Sequence, residues 1–565
     1  MRLLRGRSFQ VSLFTELAAL RILEELELPS TSQITNAAGK FLIVAPNTST
    51  VREKLKALSS EFDQWFLDHS FGLAGVGIAA RPASCNDFLE TQPENRFSHL
   101  MQKLFEDLEH AKLRRFNLLT DAPTVFEAEY PNGVCLYNEK LAADGLDDAN
   151  QASSVLSRDQ IRIGRGLPGK ERLLVIRDIS KTRDRGLDKL ELPVFGYYVA
   201  FAASAADAGK FGNLIDDDLL VRCWDFSLPR TMEEIPWHGY ARRYINAYVP
   251  RFDEYDQFFS DRYVGGEIEE LAGEPHQDLL KTFAHLACED RFLAKDMDSH
   301  TEKWQGQVAL LTAKGDVDDL GLIFQKGLRA PTFTKMAALS RMVNAFFAVY
   351  LPALCATEYP NTYTVFAGGD DFFLLGPWLS TQKLLERLRM DFSHYVAENP
   401  EITFSVGTIM TKPNVPIHML TTGAEAALDL AKAGVDTDVQ RNKNAIVIYG
   451  ERISWEKWYL LKIADAALQQ SIEDYDLSSS YIYNLLYLTD MANNESEQRP
   501  ENYLWRSYFS YRTYRMVRKW YRGKDDHRIQ QAQNHLAVNI VEKGILTLQG
   551  RYKIPLYNHF YRLRG

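Results

Sequence analysis

Between residues 306 and 450 the apolar positions change period along the chain, and each change marks an element. Val308-Ala309-Leu310-Leu311 lies in a buried-strand run over about 306–313. Met336, Leu339, Val343 and Phe346-Phe347 recur at helical spacing, which predicts a helix around Phe333–Leu351. Tyr363-Thr364-Val365-Phe366 and Phe372-Phe373-Leu374-Leu375 are β-rich runs separated by a tight turn. Pro377-Trp378-Leu379-Ser380 opens a second helix whose face includes Leu384, Leu385, Leu388 and Phe392. Ile402–Met410 reads as a strand, Thr422–Ala433 as a third helix and Ala445–Tyr449 as a closing strand.

The resulting order, β-α-β-β-α-β with a trailing helix and strand, is the ferredoxin-like plan of polymerase and cyclase palms. A fainter copy occurs near the N-terminus. Ala37-Ala38-Gly39-Lys40-Phe41-Leu42-Ile43-Val44-Ala45-Pro46 aligns without gaps on Gly368-Gly369-Asp370-Asp371-Phe372-Phe373-Leu374-Leu375-Gly376-Pro377, and a helix (Ser8–Glu25 in the first copy) precedes each. Here Gly39 and Lys40 replace the carboxylates. Residues 137–160 are polar and read as an exposed loop; Leu173–Ile176 and Val194–Val199 suggest strands. A helical linker is expected near 276–295, and after 453 the chain turns helical and aromatic-rich without heptads. The expected class is α/β (α+β). Residues 1–130 form an incomplete first palm without metal carboxylates, 131–300 an interposed α/β linker domain, 301–453 the second palm and 454–565 a C-terminal helical bundle.

Composition narrows the setting. The 565 residues are 45% hydrophobic and 25% charged, an ordinary globular balance. No run of 18 or more apolar residues occurs, so no membrane span is expected, and no signal peptide is read. Five separated cysteines without a CxxC pair fit reduced thiols in a cytoplasm. The net charge of −10 hides an asymmetry: residues 501–565 hold 13 Lys and Arg against 4 Asp and Glu. An acidic body argues against nonspecific coating of duplex DNA, while the basic end admits a local nucleic-acid or acidic-partner contact.

Candidate chemistry concentrates in Gly368-Gly369-Asp370-Asp371. The glycines let the backbone turn sharply and let a phosphate approach. The carboxylates offer hard oxygen ligands to Mg²⁺. Such a tip suits nucleotidyl transfer, where two metals activate a 3′-hydroxyl and stabilise leaving pyrophosphate. Upstream, Gly315-Asp316-Val317-Asp318-Asp319-Leu320-Gly321 reads as a strand running into an acidic turn. If that strand lies beside the hairpin, Asp316 meets Asp370 and Asp371. Taken alone, Asp318-Asp319 reads equally well as a solvated turn.

These motifs, with Ala338-Leu339-Ser340-Arg341, Gly376-Pro377-Trp378, Ser405-Val406-Gly407, Lys443-Asn444-Ala445-Ile446, Ser454-Trp455 and Leu4-Arg5-Gly6-Arg7-Ser8-Phe9, resemble one family across nearly the whole chain. The chain resembles the large signature subunit of type III-A (Csm-type) CRISPR effector complexes, the Cas-ten family. The resemblance implies a prokaryotic, cytoplasmic enzyme that converts ATP to cyclic oligoadenylates when its complex binds target RNA, with two ATP molecules at the palm–palm interface. It implies Mg²⁺ or Mn²⁺ on Asp316, Asp370 and Asp371, and a nucleotide lying against Gly368 and Gly369. Ser340 and Ser405 are candidates for ribose or base contacts, and Lys432 and Lys443 for phosphate contacts. As a helix-end lysine, Lys432 equally fits a dipole partner. The implied partners are crRNA, target RNA, and Cas-five-like and small helical Cas-eleven-like subunits.

Three departures from the family pattern follow. No His-Asp dipeptide occurs and nothing precedes the first palm, so no HD-type DNase is expected. The first palm's first strand is missing, which points either to a separate chain supplying it or to a palm that has adapted. The family's zinc insertion is reduced to Cys135, so no zinc is expected. The alternative function is a non-catalytic scaffold that anchors the crRNA 5′ end and neighbouring subunits; a free-standing diguanylate cyclase fits the flanking pattern poorly. Finally, Tyr508, Tyr511, Tyr514, Trp520 and Tyr521 interleave with Arg506, Arg512, Arg515, Arg518, Lys519 and Arg522. This pattern suits either single-stranded nucleic acid or an amphipathic helix with a core aromatic face.

Overall fold

A computed structural model describes all residues except 1, 38, 89–95, 118–126, 179–187, 204–217, 230, 232, 234–239, 246, 264–278, 296–301, 329–330, 434–442, 495–498, 522–525 and 565. The chain forms two compact units, one of Met1–Pro250 with Asp319–Phe372, the other of Arg251–Asp318 with Phe373–Gly565. Helices and sheets are mixed throughout, as the α/β reading expects.

The first unit is organised around its opening helix, Arg2–Glu25, which buries Phe9, Leu13, Leu17 and Leu20 along one stripe. The helix crosses Val155–Gly166 at very close range. A Cβ on Gly6 would fall 1.8 Å from the Gln160 carbonyl oxygen, and one on Gly164 would fall 1.8 Å from that of Arg2. Beside this crossing is a five-stranded sheet in the order Asp188–Lys189, Tyr198–Ala202, Arg172–Ile176, Leu220–Asp225, Ala241–Arg242. Its central strand shows the period of two: Leu173 and Val175 enter the large core that holds Phe9 and Phe62, while Leu174 and Ile176 enter a smaller cluster with Ala200 and Leu219.

Two expectations for this region are corrected. The strand placed at Val194–Val199 lies at Tyr198–Ala202, because Phe195 and Gly196 both take positive φ and turn the chain first. The stretch 137–160 is more than an exposed loop: Leu141 and Ala143 are buried, and Ser154 caps a helix beginning at Val155. The Cys135 thiol is also buried, 3.3 Å from the Ser157 hydroxyl.

Two hairpins turn within this unit. In the first, Gln33–Ala37 pairs antiparallel with Lys40–Ile43, with Ala37 opposite Lys40. In the second, Tyr363–Gly368 ends two residues before Asp371 opens the next strand. Both tips are therefore two residues long, as the ungapped alignment requires. The helix preceding each hairpin packs on the other hairpin's first strand: Arg2–Glu25 on Tyr363–Gly368, and Phe333–Ala345 on Gln33–Ala37. Ser8 donates its hydroxyl to the Val365 carbonyl at 3.1 Å in the first of these contacts.

The helix beginning at Phe333 continues through a π turn, Phe346–Tyr350, to Glu358. It is the one described helix long and apolar enough to cross a membrane, and more than half of its apolar window is buried inside the protein, as in a core helix.

In the second unit Leu310–Val317 pairs antiparallel with Phe404–Thr411 over eight positions, and Ala445–Ile448 and Glu451–Ser454 follow in the same sheet. The pairing carries the upstream strand four residues beyond its expected end. Asp316 thus lies within a strand, opposite Ser405, and outside any turn. Helix Trp378–Tyr395 matches the sequence reading, and the third helix, Ile417–Ala433, begins five residues before its expected start at Thr422. Gly407 lets the latter lie flat on the sheet, since a Cβ there would meet the Leu428 backbone nitrogen at 2.0 Å. The expected helical linker shrinks to Phe283–Cys288 among the described residues, followed by a strand at Phe292–Lys295. From Trp455 the described chain is helical to Leu563.

Candidate active site

The hairpin tip begins with Gly369, at φ 68°, while Asp370 keeps a negative φ. Positive φ at only the first tip position is the type II′ pattern, which glycine fills without strain. The Gly369 N–H, itself buried, donates to Asn344 Oδ1 at 2.7 Å. Asn344 is 9% exposed and sits among Val343, Phe346 and Phe347. A Cβ on Gly368 would stand 3.5 Å from the same Oδ1. After the tip, Phe372 stacks on Phe347 with ring centroids 5.5 Å apart. The turn is thereby fixed to the helix that precedes it, and Asp370 and Asp371 remain part-exposed. Sequence reasoning missed Asn344. A lone amide among apolar helix positions was the available signal.

The first unit holds a cavity of about 940 Å³. Gly369, Asp370 and Ser340 line it, and Gly39 and Lys40 of the other hairpin line it as well. Its basic lining is Lys40, Arg52, Arg81, Lys112 and Arg115, against the acidic Glu109 and Asp370. Arg81 is bound to Asp107 and Lys112 to Glu109, so Lys40, Arg52 and Arg115 supply most of the positive field. The size and the few convergent polar groups are those of a small-ligand site. Asp370 opens on this space and Asp371 follows it in the chain, two part-exposed carboxylates of the kind that fit a hard divalent cation. Among the described residues no group of three His, Cys, Asp or Glu converges.

The remaining candidates lie in the second unit. Asp316 forms an ion pair with Lys432, which stands in the last turn of its helix. Lys443 is half-buried just before the strand Ala445–Ile448. Ser405 is buried, and its hydroxyl donates to Asp318 Oδ1 at 2.8 Å. Asp318 Oδ2 accepts from the Thr403 hydroxyl at 2.8 Å and from the Asn444 N–H at 3.0 Å. Asp318 is therefore no solvated turn. It is 3% exposed, and burial pushes its carboxyl above the usual range against three hydrogen bonds that lower it. Its role is to join the two strands and the segment before the third.

Two parts of the chain match known domain families. Residues 1–128 match the family model described as Csm1 subunit domain B, and residues 307–447 match the Cas10/Cmr2 second palm domain. The Cas10/Csm1 protein (subtype III-A) of Methanocaldococcus jannaschii, named a CRISPR system single-strand-specific deoxyribonuclease, is 25% identical over 482 residues, covering 80% of this chain and 56% of its own length. A protein of the same name from Thermococcus onnurineus is 25% identical over 472 residues, covering 79% and 52%. The chain spans about half the length of these relatives. In fold it resembles a Csm1-Csm4 cassette in complex with one ATP, at a TM-score of 0.63 and 19% identity over 98% of this chain and 66% of that one. A cassette structure with cA4 gives 0.61 and 18% over 98% and 66%. A Csm1 domain match in the first unit, a Cas10 second-palm match containing all three candidate carboxylates, and these relatives together support a Csm-type large subunit, similar to Cas10/Csm1 of subtype III-A.

Proposed function

We propose that the chain is the nucleotidyl-transferring subunit of a type III-A complex and converts ATP to cyclic oligoadenylates when target RNA is bound. The observation that carries this reading is that two related hairpins, through Gly39 and Lys40 in one and Gly369 and Asp370 in the other, line one cavity large enough for nucleotides. In the reaction a ribose 3′-hydroxyl oxygen attacks the α-phosphorus of a second ATP. The new P–O bond forms as the α–β anhydride breaks, pyrophosphate leaves with the bonding pair, and the hydroxyl proton passes to solvent. The last 3′-hydroxyl attacks the α-phosphorus of its own chain's 5′-triphosphate, the α–β anhydride there breaks, and release of that pyrophosphate closes the ring.

Mg²⁺ or Mn²⁺ on Asp370 and Asp371, with Asp316 as the third candidate, would acidify the 3′-hydroxyl and offset charge on the leaving group. The side chains of the cavity have separable tasks. Gly369, without a side chain, lets a phosphate approach the tip. Ser340 offers a hydroxyl to a ribose or base. Lys40 and Arg52 neutralise phosphate where the first hairpin carries no carboxylate. The implied assembly places crRNA, target RNA and a Csm4-type neighbour beside this subunit. The single-strand deoxyribonuclease activity in the relatives' names is no part of the proposal.

A scaffold reading draws on one observation, the Asp316–Lys432 pair, which engages one of the three candidate carboxylates. The two readings separate in one assay. The assembled complex receives radiolabelled ATP with Mg²⁺ or Mn²⁺, with and without matching target RNA, beside the Asp370→Ala/Asp371→Ala double variant. RNA-dependent cyclic products that fall to background in the variant are expected. Equal product from the variant would sink the site, and a target-bound complex that makes none would leave a scaffold.

A further inference from the structure

The C-terminal helix Trp505–Trp520 has already used its core face. Trp505, Phe509, Thr513 and Val517, spaced four apart, are all buried. The tyrosines that interleave with the basic residues are elsewhere. Tyr508, Tyr511 and Tyr514 are 41%, 59% and 39% exposed. At 100° per residue they share the outward arc with Arg512, Arg515, Arg518 and Lys519, all exposed. The amphipathic-helix reading, in which the aromatic residues form the core face, is thus set aside for these three. The Trp520 side chain and Arg522 lie outside the described residues.

Three features of this face point to one kind of partner. The helix contains five cations, Arg506, Arg512, Arg515, Arg518 and Lys519, and no carboxylate. Among the described residues none of Arg512, Arg515, Arg518 and Lys519 forms an ion pair, so their charge is available to an anion. The guanidinium groups instead lie beside the rings, with Arg515 5.6 Å from the Tyr511 centroid and Arg518 5.8 Å from that of Tyr514. Tyr511 and Tyr514 also border a shallow groove of about 600 Å³ shared with Gln533 of the next helix. Flat rings at helical spacing on a strongly cationic face offer stacking surfaces and phosphate charges in alternation.

We propose that the outward face of Trp505–Trp520 is a docking surface for single-stranded nucleic acid, with Tyr508, Tyr511 and Tyr514 stacking bases and Arg512, Arg515, Arg518 and Lys519 holding the backbone. The helix is roughly 24 Å long, enough to follow a short run of nucleotides. The surface is independent of the nucleotidyl-transfer reading, because its occupancy is measured without ATP.

The test is fluorescence anisotropy on the full chain with labelled 15-mers of oligo-U and oligo-dT and a 15-base-pair duplex, over a series of salt concentrations. Circular dichroism melting confirms that each variant is folded. Tyr508→Ala/Tyr511→Ala/Tyr514→Ala is expected to weaken single-strand binding by at least about fivefold per stacked base. Arg512→Gln/Arg515→Gln/Arg518→Gln/Lys519→Gln is expected to flatten the slope of log affinity against log salt by about 0.7 per lost cation. The duplex, with its bases hidden, is expected to be insensitive to the tyrosine variant. Tighter binding of either oligo-U or oligo-dT supports the surface and identifies its strand. A tyrosine variant that binds single strands as the parent does overturns the proposal, leaving a general polycation. Parent-like affinity in both variants also overturns it and assigns the face to a protein partner.

Discussion

Asp159 lies beneath the segment Glu191-Leu192, accepting both backbone N–H groups at 2.9 Å, yet burial pushes its pKa up to about 6. Desolvation outweighs those bonds and the Arg162 guanidinium 3.4 Å away. A carboxyl raised on folding favours the folded state fully below its unfolded value of about 3.9. That contribution is lost as pH rises through the folded value. The parent should therefore lose stability relative to Asp159→Asn as pH rises from 4 to 7, and thermal melts of both proteins across that range check it. A constant difference would show that the carboxyl titrates normally. Asp318 is a second buried carboxylate, and its three donors would be left without an acceptor in Asp318→Ala. At about 1–3 kcal/mol for each orphaned buried group, the loss in urea denaturation should be several kcal/mol. Neither residue could be singled out from sequence, where an aspartate reads first as a turn or surface group. Burial of a charge depends on donors brought from distant segments, here Ser405, Thr403 and Asn444.

At the scale of elements, the helices and strands between Phe333 and Ile448 were legible because their apolar periods are long and uninterrupted. The upstream strand was cut short at Ala313 because Gly315-Asp316 reads as a turn until eight residues of Phe404–Thr411 pair with it. The tyrosine stripe stayed open between two readings for a related reason. Sequence shows that a helix is aromatic, but only packing shows that Trp505 and Phe509 suffice for its core. Glycines of the resemblance also gain a cause at this scale. Gly6 is the contact point between the opening helix and Val155–Gly166, where even a methyl group meets backbone. Gly6→Ala should part these helices and cost about 3 kcal/mol or more, beyond ordinary overpacking. Denaturant midpoints read the effect, and a fall below about 0.5 kcal/mol would mean the crossing has slack.

For the whole molecule, ATP binding can be separated from turnover by linkage. A ligand at 100 times its Kd stabilises the folded state by about 2.7 kcal/mol. Millimolar ATP with a divalent cation should raise the Tm of the chain by one to a few degrees, roughly as such a gain predicts for a protein of this size. An unchanged Tm would count against the cavity as the ATP site, whatever the complex produces. The overall charge of −10 gives no hint of that cavity's basic lining or of the cationic C-terminal face. Both are local concentrations within an acidic chain, and only the excess in residues 501–565 was visible as a block of sequence.

The Asn344–Gly369 hydrogen bond has a consequence in time as well as in position. A surface turn ordinarily trades its amide protons with water at nearly every excursion of the loop. The Gly369 proton is lodged on a buried acceptor carried by a core helix, so it is released only when that helix loosens. In hydrogen–deuterium exchange the tip should keep the slow clock of Phe333–Ala345. The carboxylates beside it would then meet each incoming nucleotide from a frame that has not moved since the last.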